Sequence, residues 1–355
     1  MEILWINFFA VYISSFLARF FSKPLYTETP FIKPNKLIIF LTILSLVLIS
    51  GLRNNIGDTY FYMHSYKTQD FSLQDIKFSG DFGFNILQSL LQKISRDPQI
   101  LIFTVALITN LFIVMVLYKY SRMIELSLFV YIASGMYTVS MNGIRQFLAA
   151  AILFTATKYI FDGNLKKYML IVLLASTVHQ TALIFLPIYF VVRREAWSKV
   201  TFILLGLAIL LAAGFNQFSG ILFKALDDTQ YGHYSNFSEG GANILRVTVT
   251  GAPLIVAFIG RERLRELWPK SDYIVNLSIL GFVFMVISSK NWIFARFDIY
   301  FGLYSLILIS WIVNLFSNQD RRVIYYVILG CYFIYFYYEQ VISLNIIYKS
   351  IYIHL

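Results

Sequence analysis

Apolar stretches long enough to cross a bilayer recur along the whole chain, and they constrain the fold more than any other feature. One helical crossing needs about 20 mostly apolar residues. Stretches of that order lie near residues 3–21, 36–52, 99–119, 124–139, 143–161, 199–217, 244–260, 272–290, 294–316 and 321–343. We therefore expect an all-α polytopic membrane protein with about ten full transmembrane helices. Composition agrees: 58% of the 355 residues are hydrophobic and only 14% are charged, where a soluble domain carries about 25% charge. No polar stretch is long enough to form a separate soluble domain, so residues 1–355 read as one transmembrane domain. The first apolar segment has no basic leader and no small-residue cleavage site, which reads as a retained span.

Two segments do not fit a simple count. Segment 83–96 is apolar but short, and reads as a short outer or re-entrant helix. Segment 168–192 contains His179 and Pro187 and is bracketed by Lys166, Lys167, Arg193 and Arg194. Short loops rich in Lys and Arg face the cytoplasm. Loops 22–36, 119–125, 158–167, 193–199, 261–272 and 320–322 form one cytoplasmic set only if 168–192 enters and leaves on the same side. That predicts a hairpin of two half-length helices with His179 near its tip. The alternative is one long tilted span with an inverted loop elsewhere. On the hairpin reading both termini are extracytoplasmic. The net charge of +10 is then a topology signal, and it gives no reason to expect nucleic acid.

Arginines on the outer side oppose that signal and need another reason. Arg53, Arg145, Arg246 and Arg296 stand at or near span ends, with Lys290 close to the last. A guanidinium is permanently charged, and its planar fork suits phosphate. Each arginine can also snorkel to the interface or pair with a carboxylate. Four from separate helices point to a site for an anionic ligand. Arg145 opens a helix, where the dipole is also positive, so an anion or a paired carboxylate must neutralise both.

The first outer loop, 53–83, combines Arg53, Asp58 and His64 with Tyr60, Tyr62 and other aromatics. Asp58 can serve as a general base or bind a metal, or simply cap the next helix. The tyrosines suit sugar rings or an interface belt. His179 is either a structural donor or a base reaching a cavity. The second outer loop, 218–243, carries Asp227, Asp228 and His233 and reads as a solvated loop or lid. The alternating charges of 261–266 read as a surface helix in which Glu262 and Arg265 pair. The single cysteine, Cys331, excludes a disulfide framework. There is no P-loop, dinucleotide fingerprint, HExxH or nucleophile elbow, and no cofactor is expected.

Four pieces in order resemble the EpsG branch of the Wzy-like exopolysaccharide polymerases. They are Gly51-Leu52-Arg53 followed by Gly-Asp and tyrosines; Asn142-Gly143-Ile144-Arg145-Gln146; His179 before Thr181-Ala182-Leu183; and Ala295-Arg296-Phe297-Asp298-Ile299-Tyr300-Phe301. The resemblance spans nearly the whole chain. One departure is that Gly57 and Asp58 are adjacent, where the family usually has a residue between.

The resemblance implies a glycosyltransferase of the bacterial plasma membrane, active on its outer face in exopolysaccharide or capsule synthesis. It would join polyprenyl-diphosphate-linked oligosaccharide repeat units, a donor and an acceptor, alongside other polysaccharide export and chain-length proteins. Arg145 and Arg296 would then neutralise the donor diphosphate, so that no metal is required. Arg53 and Arg246 would help, with Lys290, Tyr60, Tyr62 and Gln146 in contact with diphosphate or glycan. Asp58 or His179 would deprotonate the acceptor. A transporter or flippase of lipid-linked glycan, or a membrane ligase or acyltransferase, uses similar residues and stays open.

Overall fold

A computed structural model describes residues 1–22, 32–74, 76–215 and 240–353. The described residues form helices joined by short turns, without a β-strand. They divide into two compact units, one of residues 1–186 and 309–355, the other of residues 187–308.

The first unit is built from α1 (Glu2–Phe20), α2 (Lys36–Gly51), α3 (Thr59–Thr68), α4 (Phe82–Gln92), α5 (Gln99–Tyr120), α6 (Ile124–Ala133), α7 (Met136–Asn142), α8 (Ile144–Thr155), α9 (Thr157–Asp162) and α10 (Leu165–Val178). α1 packs on α2 and α6, α2 on α5, and α5 on α8. α8 is sheathed on nearly every side, with Phe147, Leu148, Ala149, Ala150, Ala151 and Leu153 all buried. Its run of alanines lets neighbouring backbones approach closely, as small residues do between membrane helices. α3 and α4 both pack against α5, and α4 also lies on α10.

Five helical segments are long and apolar enough to cross a membrane: Glu2–Phe20, Gln99–Tyr120, Ile144–Asp162, Ser271–Ser288 and Trp292–Leu315. Counting each of two bent pairs as one span gives seven among the described residues. Among the described residues this count does not confirm the expectation of about ten. The reason is that an apolar run need not be one straight helix. Run 124–139 breaks near Ser134 into α6 and α7, bent by 56°. α2 has only 16 residues, about 24 Å at 1.5 Å per residue. Run 199–217 yields a helix of 15 residues, and residues beyond 215 lie outside the described set. The second outer loop likewise falls, from 218 to 239, outside the described residues.

The irregular segments of the first unit fall where the hydropathy pattern puts them. α4 has 11 residues, about 16 Å, too short to span alone. Segment 168–192 is broken at His179, which is extended at φ −152° and ψ 112°. A 3₁₀ turn, Gln180–Ile184, follows and packs back on α10. The Tyr168 hydroxyl near the start of α10 donates to the Phe185 carbonyl at 2.7 Å. The chain therefore reverses direction at His179.

The second unit holds α12 (Lys199–Ala213), α13 (Ile244–Ile259), α14 (Arg261–Leu267) and α15 (Ser271–Ser288), preceded by most of α11 (Phe185–Val192) and followed by most of α16 (Ala295–Ile312). α15 is its centre and packs on α12 and α13. α14 bends 80° away from α13. It is the charged helix expected there: Arg265 meets Glu262 at 3.4 Å, Asp272 at 3.2 Å and Glu195 at 2.9 Å. The last helix, α17 (Asp320–Phe336), belongs to the first unit, packs on α6 and runs into a π-helical turn, Tyr337–Ser343.

Arg53 shows how the first unit holds its turns. Its side chain is buried, at 1% exposure. Nε donates to Thr59 Oγ1 at 3.0 Å, Nη1 to the Ser50 carbonyl, and Nη2 to the Met141 carbonyl at 2.5 Å. Burial lowers the guanidinium to about 10, so it stays charged at neutral pH. The expected helper of an anion is here a clamp that ties the turn after α2 to the end of α7. We expect Arg53→Ala to cost on the order of 3 kcal/mol, because several buried acceptors lose their donor. Arg53→Lys should not restore it, since one ammonium cannot reproduce the planar fork. Thermal unfolding of the detergent-solubilised protein reads both.

Candidate functional site

The site begins with a strained turn. After Arg53 the chain passes Ile56 and Gly57, both left-handed at φ 78° and 52°. Glycine takes this conformation freely; isoleucine does so at a cost. A Cβ on Gly57 would stand 2.1 Å from Asn142 Oδ1. That oxygen accepts the backbone N–H of Asp58 at 2.9 Å. So Asn142, two residues from the start of α8, fixes the position of Asp58. Asp58 stands at the N-cap of α3, yet its side chain makes no cap hydrogen bond. Among the described residues its carboxylate has no ion-pair or hydrogen-bond partner, and it lines a pocket of about 430 Å³.

Arg145 borders the same pocket. It sits in the first turn of α8, where the expectation was an anion or a paired carboxylate. The structure supplies the carboxylate: Arg145 Nη1 meets Asp81 Oδ2 at 2.9 Å. Arg145 Nε donates to the Tyr62 hydroxyl at 3.3 Å, and the guanidinium lies 5.8 Å from the Tyr62 ring centre. Over a third of the Arg145 side chain stays exposed.

Asp81 ties this arrangement together. It immediately precedes α4, and three groups converge on it. His179 Nδ1 lies 3.1 Å from Oδ2, Arg145 binds the same oxygen, and the Gln180 backbone N–H donates to Oδ1 at 2.9 Å. Burial alone would raise its carboxyl. The His179 hydrogen bond and charge, the Gln180 amide and Arg145 outweigh that and hold it below the usual carboxylate range. Asp81 thus joins the reversal at His179 to the head of α8. Sequence alone does not single Asp81 out. The signal available was a polar stripe at helical spacing, Asp81, Asn85, Gln88 and Gln92, in a segment otherwise read as apolar.

Close approach of α4 and α10 makes the contact with His179 reachable. A Cβ on Gly83 would come within 2.2 Å of Thr177 Oγ1 and 3.0 Å of the Thr177 carbonyl carbon. We expect Gly83→Ala to push α4 off α10 and open the Asp81–His179 contact, at a cost of about 1–3 kcal/mol in stability, the usual scale of overpacking. Thermal unfolding of the detergent-solubilised protein checks this.

The remaining expected residues take different places. His179 is 4% exposed, held against Asp81. Tyr62 lines the pocket and makes an edge contact with Phe84 at 6.2 Å. Tyr60 is 65% exposed and stacks on His64 at 5.9 Å. Gln146 is buried within α8. Arg246, Lys290 and Arg296 belong to the second unit. There Arg246 lies in the first turn of α13, whose N-cap Asn243 accepts from the Leu245 amide. Lys290 is exposed just after α15. Arg296, in the first turn of α16, lies 5.3 Å from the Trp292 ring centre. Among the described residues no group of His, Cys, Asp or Glu is placed to hold a metal ion.

The architecture defines a helical protein with several candidate membrane spans. Its first unit carries a carboxylate shared by an imidazole and a guanidinium at the edge of a polar pocket. The chain belongs to the EpsG family, whose model matches residues 36–352, a family of Wzy-like proteins related to exopolysaccharide polymerases. No curated protein and no solved structure matches the chain.

Proposed function

We propose that this chain polymerises lipid-diphosphate-linked oligosaccharide repeat units by glycosyl transfer at the extracytoplasmic face of a bacterial plasma membrane. The observation that carries the reading is the joint presence, on one pocket, of a carboxylate without a partner among the described residues, Asp58, and a positioned guanidinium, Arg145. The first suits removal of a proton and the second suits a departing diphosphate. Membership of the EpsG family supports the same reaction class.

In this reaction the anomeric C–O bond of the donor breaks, and the electron pair leaves on the lipid diphosphate. The acceptor hydroxyl oxygen forms the new bond to that carbon, and its proton passes to Asp58. Arg145 stabilises the negative charge that grows on the leaving diphosphate. Guanidiniums held in place before the reaction need no reorganisation as the charge develops. Asp81 and His179 are positioning residues: they hold Arg145 and the turn at 179–180 in register. His179, buried against Asp81, fits this role better than that of the base, which falls to Asp58. Segment 168–192 serves as a re-entrant hairpin that turns at His179, irregular backbone that a membrane tolerates only inside protein or beside a water-filled cavity.

The test uses purified protein in vesicles with lipid-linked repeat units supplied on the face that carries the pocket. A ladder of products lengthened by whole repeat units is expected. Units that stay single, or that only change leaflet, would identify a flippase and end the polymerase reading.

A further inference from the structure

The pocket at Asp58 does not end there. A second cavity, of about 570 Å³, adjoins it, and Phe71 lines both. The walls are two helices whose polar residues fall at matching intervals. On α3 and its flanks, Asp58, Tyr62, Ser65 and Gln69 follow one another at i, i+4, i+7 and i+11. Around α4, Asp81, Asn85, Gln88 and Gln92 do the same. Such spacing puts each set on one helix face. Four α3-side residues and Asn85 and Gln88 line the first cavity; Gln92 lines the second.

The two faces are fixed relative to one another. Gln92 Nε2 donates to the Tyr66 and Gln69 carbonyls, each at 2.8 Å, and its Oε1 accepts the Phe71 N–H at 2.9 Å. The Tyr66 hydroxyl donates to the Ser95 carbonyl at 2.9 Å. One glutamine thus holds the end of α3, the start of segment 69–74 and the end of α4 in a single arrangement. A groove held in this way loses little entropy when a ligand enters.

The lining identifies the class of ligand. Amides, hydroxyls and the rings of Phe61, Tyr62 and Phe71 dominate the first cavity. In the second, Asp70 and Arg96 neutralise one another. Ser89, 2% exposed, lines the second cavity, and its buried hydroxyl has no hydrogen-bond partner among the described residues. A lipid tail has no use for such a surface, and a lone phosphate needs more cation. Sugar rings match it, since they offer many hydroxyls and an apolar ring face. From Asp58 to Gln69 the first wall rises about 16 Å at 1.5 Å per residue, enough for several sugar units.

Resting on the polymerase reading, we propose that the groove between α3 and α4 is a saccharide track, which holds the oligosaccharide on either side of the reacting unit and runs from Asp58 and Arg145 past Phe71 to Lys93.

The test blocks the far end at two exposed positions, Gln74 and Lys93, with Gln74→Trp and Lys93→Trp in the full chain. The probes are lipid-free fragments, of one and of several repeat units, released by mild acid from the polysaccharide of the producing cells. Binding is measured by saturation-transfer NMR on the solubilised protein, and chain length on gels of vesicle products. We expect each variant to weaken the longer fragment roughly tenfold, equal to about 1.4 kcal/mol, to weaken the single unit less, and to shorten the ladder. Equal affinity of variant and wild type for every fragment overturns the track, as does equal loss at every length. Loss of a co-purifying protein in place of fragment binding assigns the groove to that protein and also overturns it. If wild type makes no ladder, yet binds long fragments in a way that Lys93→Trp disrupts, the track stands and the polymerase reading falls.

Discussion

Replacing Asp81 by alanine is expected to lower chain growth roughly a hundredfold, the scale on which supporting partners of a reactive group act. The substitution removes one carboxylate and affects three elements. Arg145 loses the oxygen at 2.9 Å, His179 the same oxygen at 3.1 Å, and the Gln180 amide its acceptor. Asp81→Asn separates charge from shape. Its amide oxygen can still accept from Gln180, so membrane insertion should stay near wild type, while turnover falls almost as far and thermal stability at neutral pH drops by the carboxylate's own contribution. Equal turnover of the Asp81→Asn variant and wild type would remove Asp81 from the reaction. The pH dependence has a defined sign. The folded carboxyl sits below its ordinary value of 3.8. Its contribution to stability is therefore fully present above that ordinary value, and is lost as pH falls through the lower folded value. Acid unfolding curves of wild type and Asp81→Asn should converge toward low pH and separate above it.

Arg145→Ala should lower polymerisation by about 10²- to 10³-fold, the loss that follows removal of one preorganised donor from a developing anion. Arg145→Lys should recover little. An ammonium carries the charge but cannot face Asp81, the Tyr62 hydroxyl and a phosphate together in one plane. The loss should be greater with diphosphate-linked donors than in the binding of lipid-free glycan, because the guanidinium acts on the leaving group. Polymerisation assays with each variant at matched protein in the membrane decide this. Full chain growth by Arg145→Ala protein would refute the assignment.

The helical class and the irregular segments were legible in the amino-acid order because hydropathy and charge dictate them directly. The break at His179 followed from charge bookkeeping across 168–192. Span number was less legible: run 124–139 is continuous in hydropathy, yet its backbone turns near Ser134, and hydropathy has no term for a bend. Asp58 and Arg145, which the fold brings to one pocket, and His179, which meets the same carboxylate as Arg145, stood out because such chemistry is rare in their surroundings. Arg53 drew the same inference as Arg145, although one is buried and the other borders a pocket. An arginine at a helix end looks the same in sequence whichever way it turns. Asp81 escaped because carboxylates are ordinary in loops, and its importance comes from partners 64 and 98 positions away.

The segment at 347–350 adds a consequence for biogenesis. The Lys349 carbonyl accepts the Asn54 amide at 3.0 Å, Asn55 exchanges bonds with Ile347 and Lys349, and the Ser350 hydroxyl donates to the Leu52 carbonyl at 2.6 Å. The turn that presents Asp58 is thus buttressed by residues that the ribosome adds almost 300 positions later. A nascent chain stalled anywhere before them exposes an unsupported turn. The supported form of this turn therefore requires translation to have passed residue 350.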